Sequence, residues 1–435
     1  MDVHAETIAA AILGPAPRSS IYVGEDNIQS LTSSLACTPT NRPQWYFSRM
    51  YPRFSVEYVW RDNLNALRDA FRALIMAVGW ICALSVNAGS AESPASITPS
   101  YSERAAFGIQ TLQEWYVHNS GLYQKPTDWW NSANAITVLV DYSRSTHNNQ
   151  YLGVVANTFS NANKAYGTVN FINDSNDDEG WWAVAWIDAW DLTKTPAYLT
   201  MAQTIFKDMT TQWDTTTCGG GVWWSKDLKN SPYKNAITNE LFLEIAASLA
   251  NRETDPKREA EYLIWARKEW RWFRDSGMIN ASNMINDGLN ATNPKACINN
   301  HGTTWTYNQG VILGGLVELA KADSDSTLLS KAQTIADAAM THLVTADGVL
   351  KEPPGKGPDL PQFKGIFMRN LVRLNKAAPS GRYKAFAAIN ADSIWRNDQG
   401  ANHQFGEHWE GPMDSADGTR QTAALDALIA AGEMQ

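Results

Sequence analysis

The sequence contains no run of basic residues and is acidic overall. Its 36 Lys and Arg are outnumbered by 45 Asp and Glu, so the 435-residue chain carries a formal net charge of -9. Proteins that bind nucleic acids concentrate Lys and Arg on one surface. The composition therefore argues against a nucleic acid or another polyanion as a partner.

Cysteine and histidine are scarce as well. Of four cysteines, Cys37 and Cys82 lie in the N-terminal region and Cys218 and Cys297 lie in the main body, and none forms a C-x-x-C motif. Whether Cys218 and Cys297 pair in a disulfide stays open, because spacing in sequence does not give distance in space. The seven histidines show no H-E-x-x-H motif and no paired ligand spacing. We therefore expect no metal site.

Alternating strand patterns are rare, and no strand–helix alternation occurs, which disfavours Rossmann and triose-isomerase-type folds. Helical periodicity dominates from about Tyr101 onward. Apolar residues recur every four positions, for example at Ile237, Leu241, Ile245 and Leu249. This spacing is typical of amphipathic or buried helices, so we expect one large all-α domain.

Six segments share a second pattern, in which a polar or aromatic opening precedes a run of small apolar residues. They open at Asn131, Glu179, Asn235, Tyr307, Phe363 and Thr419. The distances between these openings leave room for one helical hairpin each. More charged helices, such as the one expected from Arg258, would lie outside them. The pattern predicts an (α/α)6 barrel, a toroid of six hairpins, in which the openings of the inner helices line a single cleft.

Three consecutive acids, Asp177, Asp178 and Glu179, precede the pair Trp181 and Trp182. Acids in a first helical turn interact favourably with the helix dipole, by about 0.3–1 kcal/mol each, but this does not explain the tryptophans. A calcium loop fails because its sixth position, Glu179, is not glycine. Two adjacent carboxyl groups could instead cleave a glycosidic bond, since their repulsion makes one an acid and leaves the other ionised. The residues alone leave the helix-cap and catalytic interpretations open.

Aromatic residues are abundant, with 19 Trp, 15 Tyr and 13 Phe. Tryptophan doublets occur at 129–130, 181–182 and 223–224. Apolar rings with a polar edge suit the C–H faces of sugars. Any single tryptophan could equally be a large core residue.

Five ordered segments resemble glycoside hydrolase family 76, the endo-α-1,6-mannanases, across residues 101–435. They are NDDEGWWAVAWIDAWDLT from Asn176, CGGGVWWSKD from Cys218, YKNAITNELFLEIAASLA from Tyr233, YNQGVILGGL from Tyr307 and FKGIFMRNL from Phe363. The resemblance implies an (α/α)6 fold and retaining hydrolysis of α-1,6-mannan without a cofactor or metal. It also implies that Asp177 is the nucleophile and Asp178 the general acid/base, with Glu179 a first-turn stabiliser.

Residues that open the inner helices are expected to form the sugar-binding wall. They are Trp130, Asn131, Asn134, Trp182, Trp224, Asn239, Tyr307 and Gln309. An asparagine at a helix start is often only a cap, so each of these residues also has a structural interpretation.

Three functions are compatible with the sequence. The first is a secreted hydrolase that acts as a monomer on α-1,6-mannan or mannooligosaccharides. The second is a fungal cell-wall transglycosylase that acts on mannose-containing lipid-anchor glycans. The third is a non-catalytic mannan-binding protein, which would be expected to lack one catalytic acid. The sequence ends in DALIAAGEMQ without a hydrophobic tail, so no lipid anchor is expected, which favours hydrolysis.

A signal-like apolar segment, ALIMAVGWICALSV, covers residues 73–86. It is too short to span a bilayer, and Gly89 and Ala91 fit a cleavage site. We therefore expect secretion, either to the medium or to the cell wall. Three N-x-S/T sequons are compatible with that route; they lie at Asn173, Asn280 and Asn290.

The position of this segment is unusual, because about seventy residues precede it. Signal peptides begin at the N-terminus, so the true start is expected further in, at Met50 or Met76. Residues 1–72 are then an extension of uncertain origin, residues 73–91 the signal-like segment and residues 92–435 the catalytic domain. The alternative is a buried apolar segment in a small N-terminal domain.

Overall fold

The computed structural model describes residues 98–435. The predicted extension at 1–72 and the signal-like segment at 73–91 lie outside the described residues. The described residues belong to one compact unit, Pro94–Gln435. Across the described part, no helix has an apolar stretch of the length that a bilayer requires.

Twelve α-helices account for most of the described part. In chain order they are α1 (Tyr101–Leu112), α2 (Trp129–Thr146), α3 (Leu152–Tyr166), α4 (Asn176–Thr193), α5 (Pro196–Thr211), α6 (Ala236–Arg252), α7 (Pro256–Asp275), α8 (Thr306–Asp323), α9 (Thr327–His342), α10 (Leu360–Ala377), α11 (Gly381–Asn397) and α12 (Gly418–Glu433). Two short antiparallel ribbons are formed by β1 (Tyr116–Val117) with β2 (Leu122–Tyr123) and by β3 (Leu289–Asn290) with β4 (Ile298–Asn299).

The even-numbered helices form a closed inner ring. Each packs on the next even-numbered helix, and α12 packs on α2 to complete the circle. The odd-numbered helices lie outside this ring. Most pack on their neighbours in sequence, such as α5 on α4, α7 on α6 and α9 on α8, whereas α1 packs mainly on α12. The predicted all-α (α/α)6 barrel is therefore confirmed.

Residue size explains why the inner helices can be surrounded by protein. In α4 every residue from Glu179 to Ala189 is buried. Helix α8 approaches α10 so closely that a Cβ atom on Gly310 would lie 2.7 Å from the Cα atom of Phe367. The outer helix α7 is instead mostly charged and exposed. Small apolar runs thus mark inner helices, whereas charged amphipathic sequences mark outer ones.

Long loops precede several inner helices and gather over their N-terminal ends. The loops at 212–235, 276–305 and 343–359 lead into α6, α8 and α10. Because inner helices are parallel in a barrel of this kind, their first turns and these loops share one face. This face carries the cleft described below.

Candidate active site

Asp177 and Asp178 lie in the first turn of α4. The chain just before them is held by the 212–235 loop, since the backbone of Ser175 forms a β-bridge with that of Ser225. The backbone N–H of Asn176 also donates to the carbonyl of Trp224 at 2.8 Å. These contacts keep the segment extended up to Ser175, so the helix begins directly at the two acids.

The two acids lie in a cleft of about 350 Å³. Its lining residues come from the four inner helices α2, α4, α8 and α10 and from the loops that precede α4, α6, α8 and α10: Trp130, Ser175, Asp177, Asp178, Trp181, Trp224, Tyr233, Asn235, Asp287, Tyr307, Asp359 and Phe363. Four of these residues are aspartates and none is lysine or arginine. The cleft therefore combines carboxyl groups with aromatic rings.

Four aromatic rings form a continuous surface beside the acids. Trp130 stacks on Trp181 with ring centroids 5.5 Å apart, and Trp181 lies 6.4 Å from Tyr307. Tyr307 and Phe363 are nearly parallel, with centroids 3.9 Å apart. Extended aromatic surfaces of this kind suit the C–H faces of sugar rings.

Hydrogen bonds fix both carboxyl groups. The indole N–H of Trp224 donates to Oδ2 of Asp177 at 3.0 Å, and the backbone N–H of Asp178 donates to Oδ1 of Asp177 at 3.1 Å. The amide Nδ2 of Asn173 donates to Oδ2 of Asp178 at 2.7 Å. Each acid thus has one side-chain donor that orients it.

Burial raises the pKa of both acids. In Asp177 burial and, next, the charge of Asp178 hold the pKa well above its usual range. Burial raises the pKa of Asp178 to about 6, with the charges of Asp359 and Asp128 acting in the same direction. Two close carboxyl groups that resist joint ionisation retain a proton at mildly acidic pH. The pair can therefore supply one acid and one carboxylate.

Two further carboxyl groups flank the pair. Trp130 donates its indole N–H to Oδ1 of Asp359 at 3.0 Å. Tyr233 donates its hydroxyl to Oδ2 of Asp287 at 2.5 Å and accepts from Nδ2 of Asn300 at 2.8 Å. Carboxylates held in this way can accept hydrogen bonds from sugar hydroxyl groups.

Glu179 is fully buried behind the cleft and does not line it. Its Oε2 atom lies 3.1 Å from the ammonium of Lys226. Burial raises the pKa of Glu179 to about 9, although the positive charge of Lys226 acts in the opposite direction. The side chain joins α4 to the 212–235 loop.

Three of the eight residues that the sequence suggested for sugar binding line the cleft. Trp130, Trp224 and Tyr307 do so. The other five are at most 1% exposed and lie below its surface: Asn131, Asn134, Trp182, Asn239 and Gln309.

Two of the buried amides bind loop backbone. Asn239 accepts from the N–H of Val222 at 2.7 Å and donates to its carbonyl at 3.1 Å. Gln309 accepts from the N–H of Ile285 at 2.8 Å and donates to its carbonyl at 2.9 Å. Each side chain thus holds one cleft-forming loop through both backbone groups of a single residue.

The remaining three are engaged inside the barrel. Asn131 donates to Oε1 of Gln362 at 2.7 Å, which joins α2 to α10. Asn134 donates to the carbonyl of Trp130 at 3.2 Å. The ring of Trp182 stacks on Trp186 with centroids 5.6 Å apart.

The structure brings several residues to the cleft that the sequence did not single out for sugar binding. They are Ser175, Trp181, Tyr233, Asn235, Asp287, Asp359 and Phe363. Trp181 and Phe363 belong to the family-like motifs of the sequence, and Tyr233 and Asn235 stand directly before α6. Asp287 and Asp359 lie in loops without periodicity, and no sequence signal marks them.

A disulfide joins Cys218 to Cys297, with an S–S distance of 2.07 Å. It connects the 212–235 loop to the 276–305 loop. Both loops contribute cleft residues, namely Trp224 and Tyr233 from the first and Asp287 from the second.

The sequence matches that of known proteins over most of this domain. It fits the sequence model described as glycosyl hydrolase family 76 across residues 100–434. It is 27% identical over 339 residues to the mannan endo-1,6-alpha-mannosidase DFG5 of Candida albicans, covering 71% of this chain and 73% of that protein. It is 26% identical over 348 residues to the mannan endo-1,6-alpha-mannosidase DCW1 of Saccharomyces cerevisiae, covering 73% and 76%.

Solved structures share the fold. An inactive variant of an alpha-1,6-mannanase from a Salegentibacter species, in complex with alpha-1,6-mannotetrose, superposes with a TM-score of 0.70 at 23% identity, covering 78% of this chain and 100% of that one. Dfg5 from Chaetomium thermophilum, in complex with glucosamine, superposes with a TM-score of 0.66 at 21% identity, covering 77% and 90%. Since the family match spans the whole barrel, the chain belongs to glycosyl hydrolase family 76 and is a glycoside hydrolase.

Proposed function

We propose that this protein hydrolyses α-1,6-mannosidic bonds within mannan chains, with retention of anomeric configuration. The observation that carries the proposal is the placement of Asp177 and Asp178 together in one helical turn, at the bottom of an aromatic-lined cleft. Retaining glycosidases need two carboxyl groups about 5–5.5 Å apart, a separation that consecutive residues in the first turn of a helix can reach.

In the reacting complex Asp177 is ionised and Asp178 holds the proton, even though burial and the charge of Asp178 favour the protonated form of Asp177. The carboxylate of Asp177 attacks the anomeric carbon of a bound mannose. Asp178 gives its proton to the departing O6 of the next mannose, so the glycosidic bond breaks as the mannosyl–Asp177 ester forms. Asp178 then takes a proton from a water molecule, whose oxygen attacks the same carbon and releases Asp177. Two inversions leave the product with its original configuration and return both acids to their starting states.

The names of similar proteins support the substrate. The curated relatives from Candida and Saccharomyces are called mannan endo-1,6-alpha-mannosidases. The Salegentibacter mannanase was crystallised with alpha-1,6-mannotetrose after two consecutive aspartates had been replaced, and it is described as inactive. We infer that Asp177 and Asp178 do the corresponding work here, with α-1,6-mannan or its oligosaccharides as the partner.

A transglycosylase is the second candidate. The same mannosyl–Asp177 ester would be captured by a sugar hydroxyl instead of water, as expected for a fungal enzyme that transfers lipid-anchor glycans. The likeness to a Dfg5 structure that contains glucosamine favours this possibility. A non-catalytic mannan-binding protein is the third candidate, but it gives no reason for two oriented carboxyl groups in the cleft.

The test is incubation of the chain with unbranched α-1,6-mannan, alongside Asp177→Asn, Asp178→Asn and the control Asp174→Asn. Asp174 is an exposed aspartate of the same segment. Products are followed by size and by NMR of the anomeric proton. Short α-configured oligosaccharides from wild type and the control, but not from the two catalytic variants, support the hydrolase.

Other outcomes of this incubation would favour one of the other two candidate functions or contradict retention. Lengthened or relinked oligosaccharides would support the transglycosylase, and binding without chemical change would support the mannan-binding protein. Initially β-configured products would contradict retention.

Secretion and a monomeric state are also part of the proposal. The signal-like segment at 73–91 and the disulfide of Cys218 and Cys297 both fit an oxidising route to the outside of the cell. Recovery of processed protein from the medium or wall of a fungal host, and a mass near 48 kDa or less by light scattering, would support it. Retention of the whole chain inside the cell would contradict it.

A further inference from the structure

Three hydrogen bonds fix Asn173, and one of them is to Asp178, the proposed general acid/base. Its Nδ2 donates to Oδ2 of Asp178 at 2.7 Å. Its Oδ1 accepts from the backbone N–H of Ser175 at 3.0 Å. Its carbonyl oxygen accepts from the ammonium of Lys226 at 2.8 Å. Backbone and side chain are therefore fixed together, which leaves the amide one orientation towards Asp178.

Lys226 holds the backbone of Asn173 in place. Besides the carbonyl of Asn173, its ammonium reaches Oε2 of Glu179 at 3.1 Å and Oδ2 of Asp208 at 2.6 Å. The ammonium donates hydrogen bonds to Asn173 and Glu179, and its contact with Asp208 is an ion pair. The backbone N–H of Lys226 also donates to the carbonyl of Asp174 at 2.9 Å. Charge and backbone pairing thus lock this lysine to the segment that leads into α4.

We propose that Asn173 is a positioning residue that orients Asp178 for proton transfer, and that Lys226 acts through Asn173 by fixing its backbone. The inference rests on the proposed function of Asp178 as general acid/base. It assigns a role to two residues that do not line the cleft.

The hydrogen bond from Asn173 to Asp178 also bears on glycosylation of the sequon at Asn173. The nitrogen that would carry a glycan is the one that donates to Asp178. A glycan would replace one of the two N–H groups of this nitrogen and place a sugar ring against Asp178, so we infer that Asn173 stays unmodified in the active protein. Asn290, whose side chain is exposed, is the sequon that remains open to modification.

The amide also affects proton affinity. A donor to the ionised carboxylate lowers its pKa, and Asn173 opposes the rise in pKa that burial imposes on Asp178. The charges of Asp359 before α10 and Asp128 before α2 raise the pKa of Asp178. The charge of Asp178 in turn raises the pKa values of the facing groups Asp177 on α4 and Tyr166 at the end of α3. Without the amide donor, burial and the neighbouring charges raise the pKa of Asp178 further, so its carboxyl group keeps the proton to higher pH.

The first measurement is kcat and KM of the full chain on α-1,6-mannotetraose as a function of pH. Asn173→Ala should lower kcat about 10- to 100-fold, as misplaced catalytic groups do, with KM within about threefold of wild type. The alkaline limb of kcat/KM should move to higher pH. Asn230→Ala is the matched control, because the amide of Asn230 donates to Asp227 in an exposed part of the 212–235 loop, which also carries Lys226.

Two more variants separate positioning from folding. Asn173→Asp keeps the shape but replaces the donor by a like charge, so the alkaline limb should move further than in Asn173→Ala. Lys226→Met should lower kcat by itself yet add little to Asn173→Ala, because residues that act through one another are not additive. Additive losses, unchanged kcat in Asn173→Ala, or an unmoved alkaline limb would each overturn the proposal.

Titration of Asp178 tests its contact with Asn173 without any turnover, and therefore independently of the proposed function. The carboxyl carbon of Asp178 is followed by 13C NMR against pH in wild type and Asn173→Ala. A higher apparent pKa in the variant supports the contact even if mannan proves not to be the substrate. An unchanged apparent pKa, or a glycan on Asn173 in active secreted protein, overturns it.

Discussion

The indole N–H of Trp224 donates a 3.0 Å hydrogen bond to Oδ2 of Asp177, the acid that we assign as the nucleophile. Trp224 belongs to the 212–235 loop, whereas Asp177 belongs to α4. The loop thus contributes both to the wall of the cleft and to the orientation of the reacting carboxylate. Its donor favours the ionised form of Asp177, against burial and the charge of Asp178.

Trp224→Phe should lower kcat/KM about tenfold while leaving an aromatic wall in place. A lost hydrogen bond to a charged group costs about 1.5–3 kcal/mol, part of which water in the open cleft restores. The pKa of Asp177 should rise further, so the acidic limb of the kcat/KM profile should move to higher pH. The measurement is kcat/KM against pH on mannotetraose.

The control is Trp190→Phe, on the part of α4 remote from its first turn, where the ring stacks under Lys194 instead of facing the cleft. It should leave the pH profile unchanged. If Trp224→Phe and Trp190→Phe behave alike, the indole N–H has no special role.

Much of the fold could be predicted because inner helices have a local signature. A helix surrounded by protein is largely apolar on all sides, and this pattern is readable within one segment. The predicted opening at Tyr307 lies one residue from the start of α8, and that at Asn235 one residue before α6. The predicted openings at Glu179 and Phe363 lie three residues inside α4 and α10, because capping geometry depends on the loops that meet there.

The cleft was harder to predict because side-chain direction and loop path are not local properties. Tyr307 and Gln309 are two residues apart on α8, yet Tyr307 lines the cleft and Gln309 binds the backbone of Ile285. Successive residues on a helix point about 100° apart. A polar residue near the start of an inner helix therefore faces the cleft at some positions and the protein interior at others. Asp287 and Asp359 reach the cleft through loops whose course is set by contacts distant in sequence.

Glu240→Gln should stabilise the domain at alkaline pH. Glu240 is fully buried in α6, and neither carboxyl oxygen has a hydrogen-bond partner within residues 98–435. Burial and the charges of Asp287 and Glu244 hold its pKa well above the ordinary 4.5. The folded state therefore keeps a proton that the unfolded chain releases, so the stability due to this group falls as pH rises above the ordinary value.

Glutamine carries no charge and removes this dependence. In urea unfolding, Glu240→Gln should have a larger free energy of unfolding than wild type at pH 8, since each pKa difference of one between the folded and unfolded states is worth about 1.4 kcal/mol. At pH 4 the two proteins should be nearly equal. Glu259→Gln, on the exposed side of α7, is the control; a constant difference at both pH values would refute the explanation.

Arg373→Met should destabilise the barrel without removing activity. Arg373 lies towards the C-terminal end of α10, away from the cleft, and pairs with Asp188 at 2.6 Å and with Glu244. Removing the arginine leaves Glu244 without its ion-pair partner and leaves Asp188 with the longer contact to Arg144 at 3.7 Å. Breaking a buried ion pair in this way typically costs about 3–5 kcal/mol. Arg382→Met breaks an exposed pair with Asp337 and should cost less than about 1 kcal/mol. Equal losses in urea unfolding would show that burial of the pair is unimportant.

Removal of the disulfide should affect substrate binding more than chemistry. Cys218 and Cys297 are 79 residues apart, and a crosslink of this length stabilises by up to about 4 kcal/mol in the chain-entropy account. It tethers the loops that carry Trp224 and Asp287, whereas Asp178 lies on α4. Cys218→Ala/Cys297→Ala should therefore lower the melting temperature and raise KM severalfold, with a smaller change in kcat. Wild type treated with dithiothreitol should match this variant, and dithiothreitol should not alter the variant further. A variant that keeps the wild-type KM would show that the two loops hold their positions without the crosslink.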